Sequence, residues 1–170
     1  MSNIRVVSIS VLVLLGAGVS LARAQCGCTH TTTKVKGSLT ATPGRFNYNL
    51  MLGLPGANSA CNTNFAGSHA CTLAELQSAP SSQLAGLKDT SNMTVVSFWA
   101  IDPAADPVTR QCCDDVNFNP CTSANNWEYQ TAHTASRGQT VALNNVTGTL
   151  GPLVTMLQCN ATNNWVACCQ

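Results

Sequence analysis

The chain has 170 residues, 45% of them apolar and only 9% charged, with eight Lys and Arg against seven Asp and Glu. That length suits one modest folded domain. So little charge beside so much apolar content excludes the disordered class, and the near-zero balance excludes binding driven by nucleic-acid phosphates.

In chain order, residues 1–24 read as a secretory signal peptide: Arg5 supplies the positive start, Val6 to Leu15 the apolar stretch and Ala22-Arg23-Ala24 the cleavage site. The apolar stretch is shorter than the roughly 20 residues that span a bilayer. Cleavage would start the mature chain at Gln25, leaving six basic against seven acidic residues and no membrane span. All ten cysteines follow that point, at Cys26, Cys28, Cys61, Cys71, Cys112, Cys113, Cys121, Cys159, Cys168 and Cys169. An even number in an exported chain implies a disulfide framework and a secreted or cell-surface location, with connectivity left open.

Residues 34–41 alternate in part, as a half-buried strand does. Thr42-Pro43-Gly44 is a turn, and Phe46 to Leu52 alternates as a second strand expected to pair with the first. Gly53 to Gly56 breaks the pattern before a helix over Ala57–Phe65. Thr72-Leu-Ala-Glu75 is a capping box, so a second helix starts there, and residues 81–87 add a further turn or two. Met93 to Ile101 is the best central buried strand. Residues 102–138, rich in Pro, Asp, Asn and Gln, read as long loops pinned by bridges, and three strands follow over 139–143, 153–158 and 165–168.

Chemistry-bearing motifs are few. None of His30, His69 and His133 lies in a hydrolase or metalloprotease motif, and no C-x-x-C occurs, so the chain is not expected to be an enzyme. Cys26-x-Cys28-x-His30 has the ligand types of a soft-metal clamp, but oxidation consumes both thiols. The vicinal pairs Cys112-Cys113 and Cys168-Cys169 read as staples, because neighbours in a strand point to opposite faces and one pair ties two different elements to it. Asp102, Asp106, Asp114 and Asp115 concentrate the oxygen ligands calcium prefers, although Asp is also an ordinary turn former. Trp99 and Trp165 sit in strand-like runs and belong to the core, which leaves Trp127 and Tyr129, flanking Glu128, as the exposed ligand-binding candidates. Asn-x-Thr sequons begin at Asn92, Asn145 and Asn160.

The stretch from Gly56 through Cys61, Phe65, His69 and Cys71 to Glu75 resembles the helical opening of bacterial secreted, cysteine-rich proteins with a C-type-lectin-like fold. Ser97 to Ile101 resembles the strand that follows there, and Trp165 to Cys169 its last strand. The resemblance implies a single α+β domain over 45–170, with 25–44 as lead-in and first strand. It has two short helices in the N-terminal half and a mainly antiparallel sheet with long loops. It further implies a bridge from Cys61 to Cys168 or Cys169, and another from Cys159 to Cys112, Cys113 or Cys121. The Glu-Pro-Asn, Gln-Pro-Asp and Trp-Asn-Asp signatures of sugar-binding members are absent. The expectation is a secreted recognition domain that binds a glycan or an extracellular protein through its long loops, with calcium as its candidate cofactor. The alternative is a structural protein of an envelope or matrix.

Overall fold

A computed structural model describes residues 33–106, 110–113, 126–128 and 136–170. The signal-peptide residues, Cys26, Cys28, Cys121, His30 and His133 lie outside them. The described chain is α+β. In order it forms β1 (Val35–Ser38), β2 (Asn47–Tyr48), β3 (Met51–Leu52), α1 (Gly53–Asn64), β4 (His69–Ala70), α2 (Leu73–Ser78), α3 (Ser81–Leu84), β5 (Ser97–Trp99), β6 (Arg137–Asn144), β7 (Thr149–Gln158) and β8 (Ala167–Cys169). Strands pair antiparallel in the orders β1-β8-β4, β2-β3 and β5-β6-β7. No helix among the described residues is long and apolar enough to cross a membrane.

The capping box forms as read. The Thr72 hydroxyl accepts from the Glu75 amide at 3.2 Å, and the Glu75 carboxylate accepts from the Thr72 amide at 2.8 Å and from His69 Nε2 at 2.8 Å. Two expectations for residues 46–65 need correction. Residues 47–52 do not pair with β1 but close on themselves as β2–β3, around Asn49 and Leu50 with φ of 53° and 66°. The partner of β1 is β8. Helix α1 also starts four residues before Ala57, because Pro55 lies in a first turn whose amides have no helical acceptor to lose.

The run from Met93 to Ile101 contributes only three residues of regular strand, and β6 is the middle strand of its sheet. Pairing on the far side of β5 is supplied by Trp165: the Trp99 amide donates to the Trp165 carbonyl, and the Trp165 amide to the Ser97 carbonyl.

Two hydrophobic clusters result, and β8 runs between them. One gathers Leu39, Phe46, Ala57, Ala60, Trp99, Trp127, Val166 and the Cys61–Cys168 and Cys112–Cys159 disulfides. The other gathers Leu73, Leu76, Leu84, Phe98, Val141, Leu143 and the Cys71–Cys169 disulfide. Adjacent cysteines on a strand leave opposite faces. Cys168 therefore ties β8 to α1, and Cys169 ties it to Cys71, between β4 and α2. Cys113 is also disulfide-bonded.

Asp89 is a buried carboxylate on the second side. One oxygen accepts from Trp165 Nε1 at 2.9 Å, the other from the Ser91 and Met93 amides at 2.8 and 2.9 Å. Burial pushes its pKa up, but those three donors and the charge of Lys88 outweigh burial and hold it below the ordinary carboxylate value.

Two predictions follow from these ties. Replacing both Cys61 and Cys168 by Ser opens a closure of 107 residues and should lower the unfolding free energy by about 2 to 5 kcal/mol in denaturant titration. Because the folded pKa of Asp89 is depressed, its contribution is fully present above the unfolded value near pH 4 and is lost as pH falls through the folded value. Asp89→Asn should thus cost about 1 to 3 kcal/mol at neutral pH and flatten the acid limb of the stability profile. An unchanged acid limb would mean that the carboxylate carries no such load.

Candidate functional site

The long segment after β5 leaves and rejoins one base. Gln111 and Gly138 form an antiparallel bridge, the Cys112 amide donates to the Arg137 carbonyl at 2.8 Å, and the Ser136 hydroxyl donates to the Cys113 carbonyl at 2.9 Å. Cys112–Cys159 then fastens that closure to the end of β7. A methyl on Gly138 would lie 2.5 Å from Cys112 Sγ and 2.9 Å from the Trp99 ring, so only glycine lets the strand pass beneath the disulfide.

The segment touches the same base again at its middle. The Trp127 amide donates to the Gln111 carbonyl at 2.9 Å, and the Phe46 amide donates to the Trp127 carbonyl at 2.8 Å. The Trp127 indole stacks on Phe46, with centroids 4.8 Å apart and planes 2° from parallel, and meets Trp99 edge-on at 5.5 Å. Residues 126–128 thus return to that base between the stretches 114–125 and 129–135, which lie outside the described residues.

Trp127 is fully buried, which corrects the expectation that it is exposed: a ring covered on all sides offers no face to a sugar. Polar neighbours on both sides made it look like a surface residue. The signal that was missed is the pair of aromatics it joins, 81 and 28 residues upstream. Glu128 is partly exposed. Its carboxylate lies over the start of α1, where a methyl on Gly53 would meet Glu128 Oε1 at 2.8 Å, and Gly53 has a φ of +64° that also favours glycine. Burial raises the Glu128 pKa above the ordinary value, and the charge of Arg45, on the facing residue of an antiparallel bridge, partly offsets this.

Asp102 spends one carboxylate oxygen on the Ala104 amide at 3.0 Å, a local turn bond. Asp106 is exposed. Tyr129, Asp114 and Asp115 lie outside the described residues. Among the described residues no three carboxylate, His or Cys groups stand together as metal ligands.

Sequence reading passed over a buried polar chain at this base. Gln111 Nε2 donates to the Ala105 carbonyl at 2.6 Å, and Gln111 Oε1 accepts from Asn126 Nδ2 at 2.7 Å. The Ala105 carbonyl can only accept, which fixes both amide orientations and turns Asn126 Oδ1 away as an acceptor without a partner. Trp127 Nε1 likewise has none among the described residues. Cys112 and Trp127 both have left-handed backbones, with φ of 47° and 66°. For residues with a Cβ that conformation costs about 1 to 3 kcal/mol each and persists only where surroundings enforce it. Among the described residues, strain and unpaired polar atoms thus meet at the root of this segment.

A second surface lies on β7, the edge strand. Pairing of Leu143 with Leu150 and Val141 with Leu153 inserts one extra residue on β7, so Leu150 and Leu153, three apart, share the face of Val141 and Leu143. A second inserted residue separates Val154 and Leu157, and within it Met156 has a φ of 63°. Leu153, Val154 and Met156 are exposed. A cleft of about 340 Å³ opens beside Leu150, lined also by Leu76, Ala79 and Leu84, and no titratable side chain lines it. Its chemistry is that of contact, not of proton transfer.

No family model, curated protein or solved structure matches this chain. The site must be judged on its own geometry.

One measurement separates the anchor from a sugar platform. Trp127→Ala should cost about 3 to 5 kcal/mol, as truncation of buried aromatics does, in thermal or denaturant unfolding. A variant as stable as the parent would return Trp127 to the surface.

Proposed function

We propose that the chain is an extracytoplasmic recognition domain with a C-type-lectin-like arrangement, which binds a glycan or an extracellular protein through the long segment between Cys113 and Ser136. The observation that carries this reading is the triple rooting of one long segment on a disulfide-fastened base. Loops that bind need to vary while their ends stay fixed, and a rigid scaffold beneath them serves that division of labour. The paired first and last strands, the helices between them, and the Cys61–Cys168 and Cys112–Cys159 bonds support the lectin-like arrangement. Three disulfides among the described residues fit an oxidising compartment.

A second reading, a structural component that assembles with its neighbours, is favoured by the exposed Leu153, Val154 and Met156 on β7. The two readings place binding on different residues. The full chain should be tested against a glycan array and an extracellular-protein panel, with and without calcium. The loop variant Asp114→Ala, Asp115→Ala, Tyr129→Ala is compared with the strand variant Val154→Lys, Met156→Lys. Recognition through the long segment predicts that the loop variant loses binding at least tenfold while keeping its melting temperature, and that the strand variant binds normally. The opposite pattern would move the function to β7 and to assembly.

A further inference from the structure

The three Asn-x-Thr sequons stand in different structural situations. Asn145 closes the turn between β6 and β7, and its side-chain amide is fully committed: Nδ2 donates to the Leu87 carbonyl at 2.9 Å and to the Val95 carbonyl at 3.0 Å. Its own carbonyl accepts from the Gly86 amide at 2.7 Å. A primary amide nitrogen has two hydrogens, and both are used. Asn145 therefore stitches the β6–β7 turn to the two stretches that flank the Asp89 turn.

Asn92 and Asn160 are exposed, and neither side chain makes a hydrogen bond among the described residues. Asn92 sits at the tip of the Asp89 turn with a φ of 64°, its backbone amide donating to the Asp89 carbonyl. Asn160 follows Cys159 in the turn that ends β7, where the Ala161 amide donates to the Gln158 carbonyl. Exposed apolar side chains stand near both in sequence: Met93, next to Asn92, and Met156, four residues before Asn160.

We infer that Asn92 and Asn160 are the N-glycan acceptor sites of this protein and that Asn145 is a structural amide which must stay bare. The inference rests on the extracytoplasmic reading. In the transfer, the asparagine amide nitrogen bonds to the anomeric carbon of an oligosaccharide carried on a polyprenyl pyrophosphate. The anomeric carbon–oxygen bond breaks, the polyprenyl pyrophosphate leaves, and the amide gives up one proton. At Asn92 and Asn160 the lost hydrogen is one that faced water. At Asn145 it is one of the two that hold Leu87 and Val95, and the sugar would have to enter between them. Transfer precedes folding, so a chain modified at Asn145 cannot reach this fold. The glycans at the other two positions put hydrated sugar beside exposed apolar surface.

The test is expression of the full chain in a eukaryotic secretory host. Secreted protein is treated with peptide-N-glycosidase in heavy-oxygen water and mapped by mass spectrometry. Labelled aspartate is expected at positions 92 and 160 and unmodified asparagine at 145, and Thr94→Ala and Thr162→Ala should each remove one glycan mass without loss of secretion. Glycan at Asn145 in secreted protein of unchanged melting temperature would overturn the inference, as would bare Asn92 and Asn160. A chain that stays inside the cell speaks against the extracytoplasmic reading. The assignment of Asn145 is then decided in the oxidising periplasm of a host without N-glycosylation. There Asn145→Gln should lower the melting temperature by about 4 to 8 °C, while Thr147→Ala, which removes the sequon but keeps the amide, leaves it in place. Equal melting temperatures for the two variants would refute the structural role.

Discussion

The structure depends on a pair of adjacent cysteines in its last strand. Cys168 and Cys169 leave β8 on opposite faces, and each meets a cysteine from a different part of the chain, 107 and 98 residues earlier. Apart from β6 and β7, the described strands are only two to four residues long. The strand between the two hydrophobic clusters is paired on both edges, by β1 and β4, and cross-linked on both faces. A disulfide acts largely by removing conformations from the unfolded chain, more so for long closures, and these two closures enclose most of the domain.

That constraint explains how the root of the long segment tolerates its cost. Cys112 and Trp127 are held in left-handed backbone, and Asn126 Oδ1 and Trp127 Nε1 are buried without partners among the described residues. Each such feature opposes folding. The Cys112–Cys159 bond, the Phe46–Trp127–Trp99 ring cluster and the Gln111–Asn126 amide pair hold the root in place against it. Departures from local preference gathered where loops are anchored are what a presenting scaffold requires. The site and the stapled base meet in one cluster, where Trp99 and Trp127 pack with Val166 and the Cys61–Cys168 disulfide.

Local signals were legible in the sequence, and distant ones were not. The capping box at Thr72–Glu75 needs only four consecutive residues, so it could be read directly, and the staple role of the vicinal cysteines followed from strand geometry. The pairing of particular cysteines came only through the lectin-like resemblance, because spacing carries no information about which faces meet. The β2–β3 hairpin was missed because Asn49-Leu50 puts a leucine, not glycine, at a left-handed position. The extra residue between Val154 and Leu157 was hidden for the same reason, Met156 occupying a backbone that ordinarily announces itself with glycine. Asp89 and Trp127 draw their importance from partners far along the chain, and nothing adjacent to either marks it as buried.

The central claim is that one doubly cross-linked strand joins both clusters into a single cooperative unit. Native-state hydrogen exchange of the oxidised protein tests it most directly, through amides bonded to β8 and its flank from either side: Leu39 to the Val166 carbonyl, and Cys71 to the Ala167 carbonyl. The account predicts that both exchange only through global opening, with the same free energy and the same dependence on denaturant. If the Cys71 amide opened at much lower free energy than that of Leu39, the two clusters would be separate units and β8 would not be what unites them.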